Sequence, residues 1–485
     1  MAQKTVLAVD LGAESGRVMA VHFDGQHFRL EELHRFPNGP VAVQGTLYWD
    51  ILRLWTEVRS GIEKGRLYAP AGIGVDTWGV DFGLLDRNGQ LLSNPVSYRD
   101  DRTEGMMDAV FSRVPKQAVF TATGIQFARY NTLYQLMSLV TADSPLLAAA
   151  DTLLLTPDLL TYWLTGEKSA EHSIASTTQM LDVHTRQWAG DLLAQLNLPH
   201  HILPPIVSAG TRLGRYQGIP VFAVGSHDTA SAVAAVPAQT ENFAYISSGT
   251  WSLFGLETRQ PIVTEAALAA NVTNEGGVYG TVRLLQNLMG LWIVQQCRKT
   301  WQQQNQPFSY GQLVELARGE PPLRSLININ DPVFLPPGDH PHLVGASCAR
   351  TGQPIPDSPG AVIRTVLESL ALGYRATLEA LLDVSDRTVD VVHIVGGGIQ
   401  NELLNQMAAN STGRPVIAGP LEATVIGNAL VQLIAMGDLG DLAEGRSMVG
   451  AMSSWKVYEP DGAAAPEWHN AYLRYQALLK DTHEL

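Results

Sequence analysis

Apolar and polar residues alternate in blocks near the N-terminus in a way that predicts a β-hairpin. Residues Thr5–Asp10 form a short apolar run that ends in an aspartate, which predicts a buried strand. A small turn with a glycine follows, and Gly16–Phe23 predicts a second strand. The same device recurs half a chain later, where Phe243–Ser247 and Trp251–Glu257 predict two strands around a Ser-Gly-Thr turn.

Between and after the hairpins, predicted strands alternate with amphipathic segments of helical period. The strands are Gly72–Asp76, Val221–Val224, Val391–Val395 and Val416–Ala418, and the helices are Leu133–Val140, Pro157–Leu164, Ala230–Val236, Val366–Leu382, Asn401–Ser411 and Glu422–Met436. This alternation predicts α/β architecture in both halves. The polar segment at 237–241 follows an alanine-rich helix, so we predict an N-terminal domain over 1–240 and a C-terminal domain over 241–485.

The chain has 485 residues and a formal net charge of -14, which repels nucleic acid and anionic membranes. We therefore expect small-molecule ligands, no nucleic acid, no membrane and no obligate protein partner. The two cysteines, Cys297 and Cys348, belong to no paired motif, and the first apolar run is too short for a signal segment. Both features predict a soluble cytoplasmic protein.

Several common catalytic motifs are missing from the sequence. It contains no Gly-Lys dipeptide, which excludes a Walker A loop, and no HExxH or GxSxG pattern. The run Gly396–Gly398 has asparagine where a dinucleotide fingerprint needs its third glycine. The same glycines could let an adenine or ribose lie against bare backbone, although tight strand-to-helix turns often need glycine as well.

The two hairpins are candidates for phosphate binding. Glycine at a tight tip lets backbone N–H groups approach phosphate oxygens, and Asp10 at the strand end could hold a metal-bound water. The alternative is an ordinary β-turn with a capping aspartate. Two such hairpins about half a chain apart favour two phosphate loops that face each other across a cleft.

Asp228 follows an apolar strand and precedes a helix in the segment Gly225-Ser226-His227-Asp228-Thr229. One interpretation is a helix N-cap, a position that aspartate prefers. The other is a carboxylate kept ionised by the helix dipole, able to accept a hydroxyl proton. His227 alone is more often structural than catalytic, so we expect only a binding role for it.

The segment Asp76-Thr77-Trp78-Gly79-Val80-Asp81 combines two carboxylates, a hydroxyl and an indole. An aromatic face with polar neighbours is a common way to hold a sugar. A strand end followed by a turn with a buried tryptophan explains the same pattern.

Together these segments resemble the FGGY carbohydrate kinases of the actin-like ATPase superfamily, and most closely the members that phosphorylate L-rhamnulose. The resemblance runs from about Val6 to about Val457 through VLAVDLGAESGRV, GVDTWGVDFGLLD, GSHDTASAV, YISSGTWSL, NLMGLW, HIVGGGIQN and AGPLEATVIGN. It implies two actin-like, ribonuclease H-like ATPase domains with a catalytic cleft between them. It also implies Mg²⁺-dependent transfer of the γ-phosphate of ATP to O1 of L-rhamnulose in rhamnose breakdown.

The resemblance also implies a role for individual residues. ATP contacts are implied for Ala13, Glu14, Ser15, Gly16, Arg17, Thr250, Gln295 and Gly397. Sugar contacts are implied for Trp78, Gly79, His227, Asp228, Thr229 and Asn287, with Asp228 as the proton acceptor and Asp10 in the metal shell. Glu14 departs from the small or hydroxyl residue expected there. Kinases for fuculose, xylulose or glycerol, and a non-kinase actin-like ATPase, remain alternatives.

Overall fold

The computed structural model describes residues 3–452 and 455–481. The strands are β1 (Lys4–Leu11), β2 (Ser15–Phe23), β3 (Phe28–Pro37), β4 (Pro40–Val43), β5 (Thr46–Trp49), β6 (Gly72–Thr77), β7 (Phe82–Leu85), β8 (Thr152–Leu155), β9 (Ala170–Glu171), β10 (Ile206–Val207), β11 (Arg212–Tyr216), β12 (Ile219–Phe222), β13 (Phe243–Ser248), β14 (Trp251–Thr258), β15 (Thr273–Gly276), β16 (Val282–Met289), β17 (Val391–Val395), β18 (Val416–Ala418) and β19 (Lys456–Tyr458).

The helices alternate with these strands along the chain. They are α1 (Ile51–Gly65), α2 (Met106–Phe111), α3 (Lys116–Thr123), α4 (Thr132–Thr141), α5 (Pro145–Ala149), α6 (Thr156–Thr165), α7 (His172–Ser176), α8 (Gly190–Gln195), α9 (Asp228–Ala234), α10 (Glu265–Ala269), α11 (Trp292–Gln303), α12 (Tyr310–Arg318), α13 (His340–Arg350), α14 (Pro359–Ser385), α15 (Glu402–Thr412), α16 (Ala423–Ala435), α17 (Leu442–Ala451) and α18 (Ala465–Asp481). The predicted α/β architecture is confirmed. Within the described ranges, none of these helices is long and apolar enough to span a bilayer.

The chain forms two compact units, each made of three stretches of sequence. Unit 1 comprises Met1–Gln239, Glu257–Leu284 and Ala423–Ser453. Unit 2 comprises Thr240–Leu256, Leu285–Glu422 and Ser454–Leu485. The division into domains at residues 1–240 and 241–485 stays a prediction.

The sheet of unit 1 has the strand order β11-β12-β6-β1-β2-β3. Its centre, β12-β6-β1, is parallel, and the hairpin strand β2 runs antiparallel to β1. Seven of the eight residues of β1 are buried, which agrees with the continuous apolar run in its sequence. Parallel pairing of β1 with β6 places Asp10 directly beside Asp76.

Unit 2 repeats this arrangement with the strand order β16-β14-β13-β17-β18-β19. Here β13 pairs with β14 as an antiparallel hairpin and with β17 in parallel, as β1 does with β2 and β6. The outer pair is also equivalent, since β19 runs antiparallel to β18 and β11 runs antiparallel to β12. Both predicted hairpins are therefore confirmed, and each belongs to the same sheet design.

Two predicted helices begin at least two residues earlier in the structure. The helix predicted over Val366–Leu382 begins earlier, at Pro359, because the side chain of Ser358 caps it by accepting from Ala361 N. The helix predicted over Ala230–Val236 begins at Asp228. The shift of α9 is of the size common for helix boundaries, whereas the seven-residue shift of α14 is larger.

Helices α9 and α16 of unit 1 pack closely enough to require glycine at one position. A Cβ on Gly427 of α16 would lie 1.7 Å from the backbone oxygen of Ser231 in α9. Backbone cannot yield to this clash as a flexible side chain could. Gly311 in α12 is the opposite case, because nothing lies within 4 Å of a Cβ built there.

We expect Gly427→Ala to lower the free energy of unfolding by about 1–3 kcal/mol, because the helices must separate to admit the methyl group. Gly311→Ala is the control and should raise it by up to about 1 kcal/mol, since alanine is the better helix former. Urea midpoints of both variants test the expectation. An unchanged midpoint for Gly427→Ala would show that α16 does not pack on α9 this closely.

Candidate active site

The tip of the β1–β2 hairpin is a tight turn held from one side by Asn38. Gly12 N donates to the carbonyl of Ser15 at 2.9 Å, and Asn38 Nδ2 donates to the Gly12 carbonyl at 2.8 Å. Gly16 lies against an aromatic ring, since a Cβ there would come within 2.3 Å of Phe36. The tip itself is half-buried to exposed, so its backbone is open to a ligand.

Asp10 and Arg17, for which metal and phosphate contacts were predicted, bind each other. Arg17 Nε and Nη2 donate to Asp10 Oδ2 at 2.9 and 2.8 Å. The two residues are opposite each other in the β1–β2 ladder, which explains the pairing. The guanidinium charge of Arg17 is therefore largely balanced within the hairpin.

The second hairpin is braced by the helix that follows β16. Gly249 N donates to the Trp251 carbonyl at 2.9 Å, which closes the turn. Gln295, on α11, donates from Nε2 to Thr250 Oγ1 at 3.3 Å. The structure thus brings together Thr250 and Gln295, two of the residues predicted to contact ATP.

The glycine run after β17 lies against the end of β13. Gly396 has φ of 84°, a conformation that favours glycine, and a Cβ on Gly398 would lie 1.9 Å from Ser248 Oγ. Gly397 is different, because nothing lies within 4 Å of a Cβ built there, so its backbone is open on that side. Asn287 lies on β16 of the same unit and is half-buried.

Asp228 is the first residue of α9 rather than its N-cap. His227 occupies the N-cap position and makes no side-chain capping bond. Asp228 Oδ1 accepts from the backbone N–H of Thr229 at 2.6 Å and from Thr229 Oγ1 at 3.1 Å. The Asp228 side chain keeps 30% of its surface exposed, so a ligand can reach it.

The pKa of Asp228 is raised above its ordinary value, a shift in the direction opposite to the effect expected from a helix dipole. Burial is the main cause, His227 opposes it, and the charge of Asp10 adds to it. As the pH falls, Asp228 therefore takes up a proton earlier than an ordinary aspartate.

Trp78 belongs to a buried network around Asp81. Trp78 Nε1 and Trp49 Nε1 donate to Asp81 Oδ2 at 3.0 and 2.6 Å, and the two indole rings lie 4.3 Å apart. Tyr98 N also donates to Oδ2, and Gln135 Nε2 donates to Oδ1. Burial raises the pKa of Asp81 to about 6, although these donors oppose the rise. Trp78 is only 6% exposed, and its polar atom is engaged.

Asp76 and Gly79, from the same segment, differ in their surroundings. Asp76 is fully buried and its Oδ2 accepts from Asn428 Nδ2 at 2.6 Å. Burial and then the charge of Asp10 raise the pKa of Asp76 well above its ordinary value. Gly79 lies close to Thr177, 3.2 Å from the position of a Cβ. Asp76 is thus a buried neighbour of Asp10 rather than a surface group.

Three buried charged residues near Asp228 were not predicted from the sequence. Glu171 Oε2 accepts from Ser226 N at 3.0 Å, while Arg283 and Glu275 approach the ring of His227. They lie far from position 228 in the sequence and form no motif with it. Only Arg283 has a sequence signal, a charge among the apolar residues Val282, Leu284 and Leu285.

The predicted site residues divide between the two units. Unit 1 contains Asp10, Ala13, Glu14, Ser15, Gly16, Arg17, Trp78, Gly79, His227, Asp228 and Thr229, and unit 2 contains Thr250, Asn287, Gln295 and Gly397. Unit 1 offers an accessible carboxylate and an open hairpin backbone. Unit 2 offers a second hairpin and a bare glycine turn. In the described ranges no cluster of three or more His, Cys, Asp or Glu residues could hold a metal alone.

Matches to a protein family and to individual relatives extend over nearly the whole chain. The model for the N-terminal domain of the FGGY family of carbohydrate kinases matches residues 5–235, and the model for its C-terminal domain matches residues 244–436. A rhamnulokinase of Bacteroides thetaiotaomicron is 43% identical, covering 99% of this chain and 100% of that protein. A rhamnulokinase of Pectobacterium atrosepticum is 42% identical, covering 99% and 97%.

Solved structures agree at the level of the fold. A ligand-bound xylulose kinase from Lactobacillus acidophilus has a TM-score of 0.80 at 16% identity, covering 99% of this chain and 98% of that one. A glycerol kinase from Plasmodium falciparum with ADP has a TM-score of 0.77 at 15% identity, covering 97% of each chain. At these identities the likeness shows the fold alone.

We expect Asp81→Asn to lower the free energy of unfolding by about 1–3 kcal/mol, because an amide replaces one acceptor oxygen with a donor among buried donors. The near-ultraviolet circular dichroism of the tryptophan pair should change with it. Asp86→Asn is the control, since its Oδ1 accepts from Asn88 N and Gln90 N in an exposed turn that asparagine also forms. Equal urea midpoints for the two variants would contradict the role given to Asp81.

Proposed function

The chain belongs to the FGGY family of carbohydrate kinases, and on that premise we propose that it transfers the γ-phosphate of ATP to O1 of L-rhamnulose. The products are L-rhamnulose 1-phosphate and ADP, the step expected in L-rhamnose breakdown. The choice of L-rhamnulose as the substrate rests on one observation: rhamnulokinases from five organisms are 39–43% identical over at least 92% of this chain.

The alternatives have less support. A kinase for another ketose or polyol would share the fold of the xylulose and glycerol kinases, whose identity to this chain is 15–20%. A likeness at this level of identity does not indicate the substrate. A non-kinase actin-like ATPase is disfavoured because the family models that match both parts of the chain describe carbohydrate kinases.

For ATP we propose contacts with the backbone of Ala13–Arg17 and with Thr250, Gln295 and Gly397. The hairpin tip in unit 1 and the Thr250–Gln295 pair in unit 2 offer N–H and hydroxyl donors of the kind that bind phosphate oxygens. Glu14 is exposed, so only its backbone suits this role. The bare backbone at Gly397 leaves room for the nucleoside.

Asp10 is the residue we propose to hold Mg²⁺. One of its oxygens, Oδ2, accepts two bonds from Arg17, so a contact through water fits better than direct coordination by several protein ligands. Phosphate oxygens of ATP would complete the coordination. When bound, the ion would neutralise charge on the phosphate oxygens during transfer.

For the sugar we propose contacts with Gly79, His227, Thr229 and Asn287, and apolar contact with Trp78. Asp228 is the proposed general base: it takes the proton of the O1 hydroxyl as O1 forms a bond to the γ-phosphorus. The bond from that phosphorus to the β,γ-bridging oxygen breaks, and ADP leaves. Phosphoryl transfer needs this kind of placement more than covalent help from the protein.

We also propose a reducing, cytoplasmic location with small molecules as partners. Cys297 and Cys348 are both free and buried, and burial raises the pKa of the Cys348 thiol to about 11. Neither thiol is therefore reactive at neutral pH. The acidic balance of the chain disfavours nucleic acid as a partner.

Among ketoses supplied with ATP and Mg²⁺, L-rhamnulose should give the highest kcat/KM, measured as ADP release over a panel with L-fuculose and D-xylulose. A preference of at least about tenfold corresponds to roughly 1.4 kcal/mol of transition-state binding. A tenfold preference for either of the other ketoses would contradict the assignment of L-rhamnulose as the substrate. Release of ADP at the same rate without any sugar would contradict the assignment of sugar kinase activity.

Asp228→Asn should lower kcat at least about 100-fold, because an amide cannot accept the hydroxyl proton. The affinity for the sugar, measured by calorimetry, should change far less, since an amide still bonds a hydroxyl. Asp191→Asn is the control, because it removes an exposed first-turn carboxylate from α8 and should leave kcat unchanged. Turnover within a few-fold of the parent in folded Asp228→Asn would contradict the role of Asp228.

A further inference from the structure

The ring of His227 lies between the proposed base and a buried ion pair. His227 Nε2 is 3.4 Å from Asp228 Oδ1, while Nδ1 is 3.0 Å from Arg283 Nη2 and 3.3 Å from Glu275 Oε2. Arg283 is fully buried and Glu275 nearly so. All four residues belong to unit 1. A cation buried this deeply is rare unless it is paired, and Glu275 Oε2 is 3.1 Å from Arg283 Nη2.

The chemistry of arginine decides which nitrogen of His227 bears the proton. A guanidinium has donors only, so His227 Nδ1 must act as the acceptor of the Arg283 bond. The proton of a neutral ring is then on Nε2, the nitrogen that faces Asp228 Oδ1. Arg283 Nη2 lies close to both Glu275 Oε2 and His227 Nδ1, which explains why these two atoms approach each other.

Arg283 and the backbone of His227 are themselves fixed. Arg283 Nε donates to the Gly276 carbonyl at 3.0 Å, which sets the plane of the guanidinium. His227 N donates to Ser173 Oγ at 3.2 Å, and Ser173 Oγ donates in turn to Glu171. The ring is therefore held through its side chain and its main chain by groups that solvent does not reach.

Asp228 receives its donors on one side. Throughout residues 3–452 and 455–481, the hydrogen bonds to its carboxylate both reach Oδ1, from Thr229 N and Thr229 Oγ1. His227 Nε2 approaches the same oxygen. A third donor at Oδ1 would hold the carboxylate in one rotamer and direct Oδ2 toward the ligand.

We propose that Arg283 and Glu275 are positioning residues, which hold His227 in the Nε2-protonated form so that it directs Asp228 Oδ2 to the sugar hydroxyl. The sugar hydroxyl is part of the function proposed above, and the inference rests on that function only for the identity of this ligand. The order of residues along the chain, Asp228 with His227 and then Glu275 with Arg283, gives no hint of this contact.

The first measurement uses the unliganded parent protein. With ¹⁵N-labelled histidine, the ring signals of His227 are identified by their loss in His227→Gln. At pH 8 we expect the proton on Nε2 and none on Nδ1. A proton on Nδ1, donated to Glu275, or an equal mixture of the two forms would overturn the proposal, and this result does not depend on what the protein phosphorylates.

The second measurement compares two amides at position 227. A glutamine amide reaches about the position of Nε2, and an asparagine amide reaches about that of Nδ1. His227→Gln can donate to Asp228 and should keep kcat at least about tenfold above that of His227→Asn. Equal kcat values would show that the donor facing Asp228 is unimportant.

The third measurement tests the buried pair through Arg283→Lys, which keeps the charge opposite Glu275 but loses the planar fork. We expect kcat to fall about 10- to 100-fold while the KM for ATP stays within about twofold. Arg446→Lys is the matched control: Arg446 pairs with half-buried Glu257 and donates to carbonyls at the other end of α9. It should lower the melting temperature comparably and leave kcat unchanged.

Equal loss of kcat in the two lysine variants would overturn the proposal, since the loss would then reflect a weakened helix. If Arg283→Lys does not fold, the position of the His227 proton and the comparison of His227→Gln with His227→Asn still test the proposal. Kinetics use whichever ketose the parent phosphorylates, so a different preferred sugar overturns the substrate and leaves the positioning test intact.

Discussion

The parallel pairing of a hairpin strand with the next strand of the sheet is the constraint on which the candidate site residues of each unit depend. In unit 1, β1 and β6 end together, with Leu11 opposite Thr77, and Thr77 forms a further parallel bridge with His227. Three segments distant in sequence thus reach one edge of the sheet. In unit 2, the pairing of β13 with β17 brings the hairpin tip to the glycine turn. Ligands of open α/β sheets bind at this carboxyl edge because the loops that follow parallel strands gather there.

That edge requires several carboxylates to be buried close together, and hydrogen bonds make this possible. Asp76 has the amide of Asn428, and Asp81 has two indoles, an amide and a backbone N–H. Burial raises the pKa of Glu171, while the hydroxyl of Ser173 and backbone N–H groups at Ser173, Ser226 and Ile174 oppose the rise. Because removal of one partner leaves a desolvated charge, each of these acids fixes the loops around it firmly. The loops around these acids are therefore held in place, whereas the tip of the β1–β2 hairpin stays half-buried to exposed.

Features that depend on neighbouring residues could be predicted from the sequence, whereas contacts between distant segments could not. Both hairpins, the helix after Asp228 and the glycine turn after β17 follow from period, composition and turn residues within a few positions. The pairing of Arg17 with Asp10 was also within reach, since antiparallel register across a short turn places them opposite each other. Arg283, Glu275 and Asn428 were not, because their contacts depend on packing between strands and helices far apart in the chain. The raised pKa of Asp228 was missed for the same reason: burial is a property of the assembled unit.

Charge balance connects the hairpin geometry to the proposed chemistry. Among the residues proposed to contact ATP, Arg17 is the one cation, and its Nε and Nη2 donate to Asp10. The backbone amides at the tips carry partial charges only, and Glu14 adds a negative charge at the tip. A triphosphate held by such a surface keeps most of its own charge. We therefore propose that the transfer relies on a divalent cation beside Asp10 for neutralisation, since the guanidinium of Arg17 already donates to the Asp10 carboxylate. In that proposal the protein would place the reactants and the metal would balance their charge, a division that phosphoryl transfer permits because it asks the protein for little covalent chemistry.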